Sequence, residues 1–472
     1  MSRNQVFNLG GVNLKVSPLL LQPGDLIRSV NVETYPLGAK RKRPGYITYL
    51  GTMPNGSAVQ DLATWTLNNG TQLWNYALAG GLLYYSTQGT GAWTICGNGT
   101  LSASGTLTTA AMENTLLVGD NVSATRHTTN GTSFTNTTSA PIAVSMTDYH
   151  QRIFAAGTAS NLFWSNVGTP TDWTNDSSSV LIPGPGKLHS LFTTGARQGD
   201  SLIATKNSGK MFSYDEFVLN DLTTRLGPTS NRSIGSVENF RVYLNRLGFF
   251  RFSGSRPSLL SNAIERQIYN DRGSGIIGTT FDSAPGGAHQ YRYYASIGTV
   301  TDDLTDETIP DAVAVYDFQQ NEWWNYSFAN RPTSFLSFTD ASGSARFIFG
   351  GGSQCYEVVG TAVSDNGATI NSVMEGVYTH GSPDLDKEWR YLRASANPGC
   401  EGHIQVAIGD TFTKGKKNWI SLGDFTNGVV EYRFPSGSRG KLLFWKLSEA
   451  SRNTRWQFYT FSVEANVIGE GK

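Results

Sequence analysis

An aromatic meander recurs in this chain at intervals of about forty residues, and that repeat limits the available folds more than any bulk property does. Around Tyr85 the chain reads Leu82-Leu83-Tyr84-Tyr85-Ser86, then Gly89, then Trp93-Thr94. Around His127 it reads Ala124-Thr125-Arg126-His127-Thr128, then Gly131, then Phe134-Thr135. Around Trp164 it reads Leu162-Phe163-Trp164-Ser165, then Gly168, then Trp173-Thr174. Each copy is a ring, a hydroxyl residue, a glycine turn, an aromatic and a threonine. The turn glycines lie 42 and 37 residues apart, and weaker echoes centre on Phe212, Phe250, Tyr316 and Tyr356. One small meander buries too little apolar surface to stand alone in water, so the copies must pack on one another. Units of this length, each holding about four short strands, are the mark of β-propeller blades. A β-sandwich also repeats its strands every 8–12 residues, but the repeat here runs at the level of whole blades.

The reading that follows is all-β: a six- or seven-bladed β-propeller plus a C-terminal β-sandwich or barrel platform completed by an N-terminal arm. Residues 1–45 form the arm, 46–360 the propeller and 361–472 the platform. The blades are expected at about 58–97, 101–138, 142–182, 187–226, 233–258, 276–328 and 332–360, with one unit shared between the two ends of the propeller to close the ring. Asn262–Tyr269 carries Ala263, Ile264 and Ile268 at helical spacing and is the best helix of the chain. After Gly360, the segments Ile404–Ile408, Val429–Phe434, Leu442–Leu447 and Trp456–Val463 alternate as strands do.

Two charge features stand out in a chain with 37 bases, 37 acids and no net charge. The arm is basic, and Lys40, Arg41, Lys42 and Arg43 close it. These four are the candidate arm contacts, as charges solvated on a packed arm or as a clasp on an acidic neighbour or on phosphates. The sixth blade carries an acidic insert, with Asp302, Asp303, Asp306, Glu307 and Asp311 and no base between 301 and 311. It reads as a solvated hairpin tip or, in a symmetric ring, as the lining of an opening.

Signatures of catalysis are missing. Gly184-Pro185-Gly186-Lys187 lacks the first glycine and the hydroxyl of a phosphate loop, and His-Glu-x-x-His and Gly-x-Ser-x-Gly do not occur. The six histidines are scattered, and three cysteines without Cys-x-x-Cys spacing argue against a disulfide framework or a zinc site. The Ser-x-x-Gly…Trp turns approach the Asp-box hairpins of sialidase-type propellers, yet Gln88 and Val167 stand where the aspartate would fall. No enzyme activity, cofactor or metal is expected. Neither a signal peptide nor a membrane span is seen.

Gly10-Gly11-Val12-Asn13, Leu20-Leu21-Gln22-Pro23-Gly24, Asn31-Val32 and Lys42-Arg43-Pro44-Gly45-Tyr46 resemble the start of a bacteriophage tail protein. Arg152-Ile153-Phe154-Ala155-Ala156-Gly157, Trp164-Ser165 and Gly168-Thr169-Pro170-Thr171-Asp172-Trp173 are similar to the blades of the same family. That family is the tail hub or nozzle of short-tailed phages, also called packaged-DNA stabilisation proteins, and the order of arm, propeller and C-terminal β domain matches it too. The resemblance implies a structural virion protein, assembled in the bacterial cytoplasm as a homohexamer below the portal and adaptor rings. Tail fibres or spikes would attach to it, and double-stranded DNA would pass its channel without sequence recognition. The acidic insert is then a candidate gate. The competing expectation is a glycan-binding or glycan-degrading propeller whose exposed tryptophans, such as Trp323 and Trp324, stack on sugars.

Overall fold

The computed structural model describes residues 3–468 except 8, 16, 18–19, 23, 36–38, 68–71, 88–90, 175–178, 195–200, 216–217, 269–280, 303, 380–382, 413–416 and 452–454. Seven four-stranded meanders follow one another, opening at Val59, Thr108, Ala143, Leu188, Gly235, Gly286 and Ser334. The seven rings that marked the repeat, Tyr85, His127, Trp164, Phe212, Phe250, Tyr316 and Tyr356, all fall on the third strand of their blades. Blade seven draws its fourth strand, Tyr46–Thr52, from the other end of the domain, where it pairs with Gln354–Val358. The ring is thus a closed seven-bladed propeller.

Alternation in the second strands explains why the blades radiate. A strand with apolar residues on both faces must bury each face against a different neighbour. In Arg152–Gly157, Ile153 and Ala155 meet Ala110 and Leu117 of the blade before. Phe154 and Ala156 meet Leu191, Leu202 and Tyr214 of the blade after. In Arg292–Thr301, Tyr293 packs with Val242 and Phe249 of blade five, and Tyr294 with Phe335 and Phe347 of blade seven. Each of the large side chains among these contributes roughly 1.5–3 kcal/mol by burial, and each alanine about 0.8 kcal/mol or less. Close approach also dictates one turn residue: Gly131 sits at φ +79° and a Cβ there would run into the Trp74 indole, while its carbonyl accepts a 2.9 Å bond from Tyr76. The expected helix is a 3-10 turn, Ser261–Ile264, running into Glu265–Ile268; Tyr269 and the turn residues Gln88 and Gly89 lie outside the described residues.

The platform is two sheets packed face to face. One holds Val32–Tyr35, Ala39–Lys42, Gln457–Ile468, Asp386–Ala396 and Val429–Arg433, with Arg3–Phe7 added against Gln457–Ile468. The other is continuous with blade six. Its outer strand Glu322–Ser327 pairs with arm strand Leu26–Val30, which pairs with Ser372–Tyr378, and the sheet runs on through Leu442–Glu449, His403–Gly409 and Ile420–Asp424 to nine strands. Trp445 and Phe461 join the two sheets with ring centres 5.0 Å apart.

Candidate functional site at the joint of arm, blade and platform

The arm does not lie on the platform; it is woven through it. Asn31 makes the crossing, at φ 58°, a left-handed conformation that asparagine tolerates better than most residues. Its side-chain oxygen accepts from Arg43 Nε and from the Ser327 backbone, each at 2.8 Å. Its amide donates to the Asn371 carbonyl at 2.7 Å. One residue thereby fixes arm, blade six and platform together.

Glu33, two residues on, is the centre of the joint and is fully buried. It accepts from Arg41 Nε at 2.6 Å, Arg292 Nη1 at 2.6 Å, Tyr326 Oη at 2.7 Å and Arg455 Nη2 at 3.3 Å. These donors come from the arm, blade six and the platform. Burial alone would raise the Glu33 pKa, but the charges of Arg292 and Arg41 and the Tyr326 hydroxyl outweigh it and hold the pKa below the ordinary value.

The four basic residues closing the arm all take part, and the expectation that their charges are solvated is corrected. Lys40 reaches Glu322 of blade six at 3.0 Å. Burial pulls its pKa below the usual lysine value, and Glu322 restores part of the difference. Arg41 serves Glu33. Lys42 is fully buried and pairs with buried Glu449 at 3.1 Å, whose other partners are the Ser451 backbone and Trp456 Nε1. Arg43 is also fully buried and spends all five N–H donors: on Asn31, on the carbonyls of Pro44 and Ser327, and on both oxygens of Asp365 at 2.8 and 2.6 Å. Its guanidinium lies 4.5 Å from the Phe328 ring centre. The run is a clasp on acidic neighbours within its own chain, and Lys42 and Arg43 are closed to phosphates.

The acidic insert is corrected in the same way, because it is not a solvated tip. Asp302 is buried; one carboxylate oxygen accepts the Leu304 and Thr305 backbone N–H groups at 2.9 Å each, and burial raises its pKa. Glu307 bonds to Arg28 of the arm and, at 3.1 Å, to Lys446 of the platform. Glu375 completes a quartet of two cations and two carboxylates, 3.1 Å from Arg28 and 3.3 Å from Lys446. Asp306 turns the chain at φ 59°. Half-buried Asp311 stands 3.9 Å from Arg331, and Asp303 lies outside the described residues. The insert is a prong docked on the platform.

At the propeller axis a feature appears that the sequence did not announce. The turn Asn231–Ser233 before blade five sends Arg232 across the ring to the carbonyls of Gln60 (2.7 Å) and Thr333 and to the Asp61 carboxylate at 3.4 Å. Asn231 donates to the Val144 carbonyl at 3.1 Å. Blades one, three, five and seven are tied together over the tunnel, which is plugged. Burial raises the Asp61 pKa against the pull of Arg232.

Trp323 and Trp324 are each only 2% exposed, in the cores on either side of blade six, which corrects the expectation that they offer sugar-stacking faces. One constellation had no sequence signal. His403 Nδ1 is 2.7 Å from Asp424 and its Nε2 3.0 Å from the Ser421 hydroxyl. All three sit on an open strand pair with Asp424 73% exposed. A relay in water lacks the low-dielectric surroundings that give such groups catalytic strength, and we read it as a cross-strand hydrogen-bond chain. Among the described residues, no group of three or more His, Cys, Asp and Glu is placed to hold a metal, and no helix is long and apolar enough to cross a membrane.

No protein-family model matches the chain, and no curated protein matches it. Among solved structures it is similar to YCF48 from Cyanidioschyzon merolae, at 11% identity over 66% of this chain and 98% of that one, with a TM-score of 0.42. The computationally designed Ika8 protein aligns at 10% identity over 66% of this chain and 100% of its own, TM-score 0.39. BBS1N, solved in complex with ARL6DN, aligns at 7% identity over 68% and 98%, TM-score 0.42. The chain itself is a β-propeller protein with a two-sheet platform.

Proposed function

We propose that this chain is a wall unit of a phage tail: one subunit of a homohexameric nozzle ring beneath portal and adaptor, around a channel that holds and then passes double-stranded DNA. The observation that carries the reading is the joint. Blade six, arm and platform share one nine-stranded sheet, pinned by Glu33 and by the pairs of Lys40, Lys42 and Arg43. Propeller and platform therefore move as a single body, as a structural wall requires. The plug at Arg232 closes the propeller's own tunnel, so a passage for DNA belongs between subunits. Zero net charge suits a conduit, because a basic lining would bind phosphates and slow transit. Contacts with adaptor and with fibres or spikes follow from the same reading.

Light scattering of the purified chain, with negative-stain images alone and with portal–adaptor complexes, tests it. Six-fold rings, free or on the complexes, are expected. A monomer at every concentration that also ignores the complexes would sink the proposal.

A further inference from the structure

The plug turns one mouth of the propeller tunnel into a blind cup of about 630 Å³, floored by Asn231 and Arg232. That volume falls inside the range of small-molecule sites, roughly 300–1,000 Å³. Its wall mixes polar and apolar surface with polar groups in the majority, as a polyol with polar edges and C–H faces requires. Arg232 is committed to Asp61, and Arg246 meets both oxygens of Asp282 at 3.1 Å. Lys187 remains as a cation on the wall with no carboxylate partner among the described residues. Beside it Asn207 spends its side-chain oxygen on the Lys187 backbone N–H at 3.0 Å, which leaves its amide NH2 as a donor. The half-exposed Arg246–Asp282 pair offers donors and acceptors side by side. His189 is held against the Thr205 carbonyl and the Ser190 hydroxyl, and burial keeps its pKa below the ordinary imidazole value, so it adds a neutral group.

Acceptors beside donors match vicinal hydroxyls, which both give and take hydrogen bonds. The exposed Lys187 ammonium, with no carboxylate partner among the described residues, gives the cup an uncompensated positive charge that attracts one negative charge. We propose that this cup binds an acidic sugar, a polyol bearing a single carboxylate. The inference does not rest on the ring reading, and it places carbohydrate recognition at the axis rather than on Trp323 and Trp324.

Calorimetry on the full chain with glucuronic acid, glucose and inorganic phosphate tests it. Glucuronate is expected to bind at least about tenfold more tightly than glucose or phosphate. Lys187→Gln should bring it down to the glucose level without lowering the melting temperature. Asp282→Asn, the second variant, should weaken both sugars. Absence of glucuronate binding at about 10 mM would overturn the proposal. So would phosphate binding as tightly as glucuronate, or glucuronate affinity unchanged in Lys187→Gln and Asp282→Asn.

Discussion

Replacing Glu33 by glutamine would leave Arg41, Arg292 and Arg455, each largely buried, facing a neutral amide at a fully buried position. Removing one partner of a buried ion pair costs about 3–5 kcal/mol, and urea unfolding of Glu33→Gln should show a loss of that size. Its pH dependence has a definite sign. A carboxylate whose folded pKa lies below its unfolded value stabilises the fold above the unfolded pKa and loses that contribution as pH falls through the folded one. The gap between wild type and variant should therefore be full above about pH 4.5, the ordinary glutamate value, and shrink below it. Gly131→Ala should cost more than about 1 kcal/mol, because the new methyl meets the Trp74 ring and φ is positive. Lys40, Arg41, Lys42 and Arg43 were legible in the sequence as a basic run. Their partners were not, since Lys40 and Glu322 lie 282 residues apart and no local spacing announces such a pair.

At the scale of elements, period-two alternation and turn glycines are local signals, and they placed five blades to within three residues, whereas the strands of blades two and six open seven and ten residues later than expected, at Thr108 and Gly286. The middle position of Leu26–Val30 in a nine-stranded sheet is a long-range pairing, which left only a basic, glycine-broken arm to be seen. That position sharpens what truncation does. Deleting residues 1–45 removes a central strand, so amide exchange should rise in Glu322–Ser327 and Ser372–Tyr378, its two neighbours; unchanged protection there would contradict the weave. The plug invites a cycle. Arg232→Met alone strands Asp61 without its cation and should cost about 3–5 kcal/mol, whereas Arg232→Met with Asp61→Asn should recover most of the loss. Thermal unfolding of the four proteins measures it. Arg232 was invisible beforehand because a lone arginine in a turn gives no hint of crossing a ring.

For the whole molecule, the two ends of the chain hold each other. Gln457–Ile468 pairs with Arg3–Phe7, with Ala39–Lys42 and with Asp386–Ala396. A chain ending at residue 456 should lose exchange protection in Arg3–Phe7 and Ala39–Lys42 while blades one to four keep theirs. Blade seven has a temporal corollary. Thr52 meets Gln354 across 302 residues of chain, so during synthesis the closing strand waits for its partner. At about 5–20 residues per second that delay is roughly 15–60 s. Over that interval the nascent protein is an open fan with two unpaired edges, and shielding it on the ribosome is a condition for a usable yield.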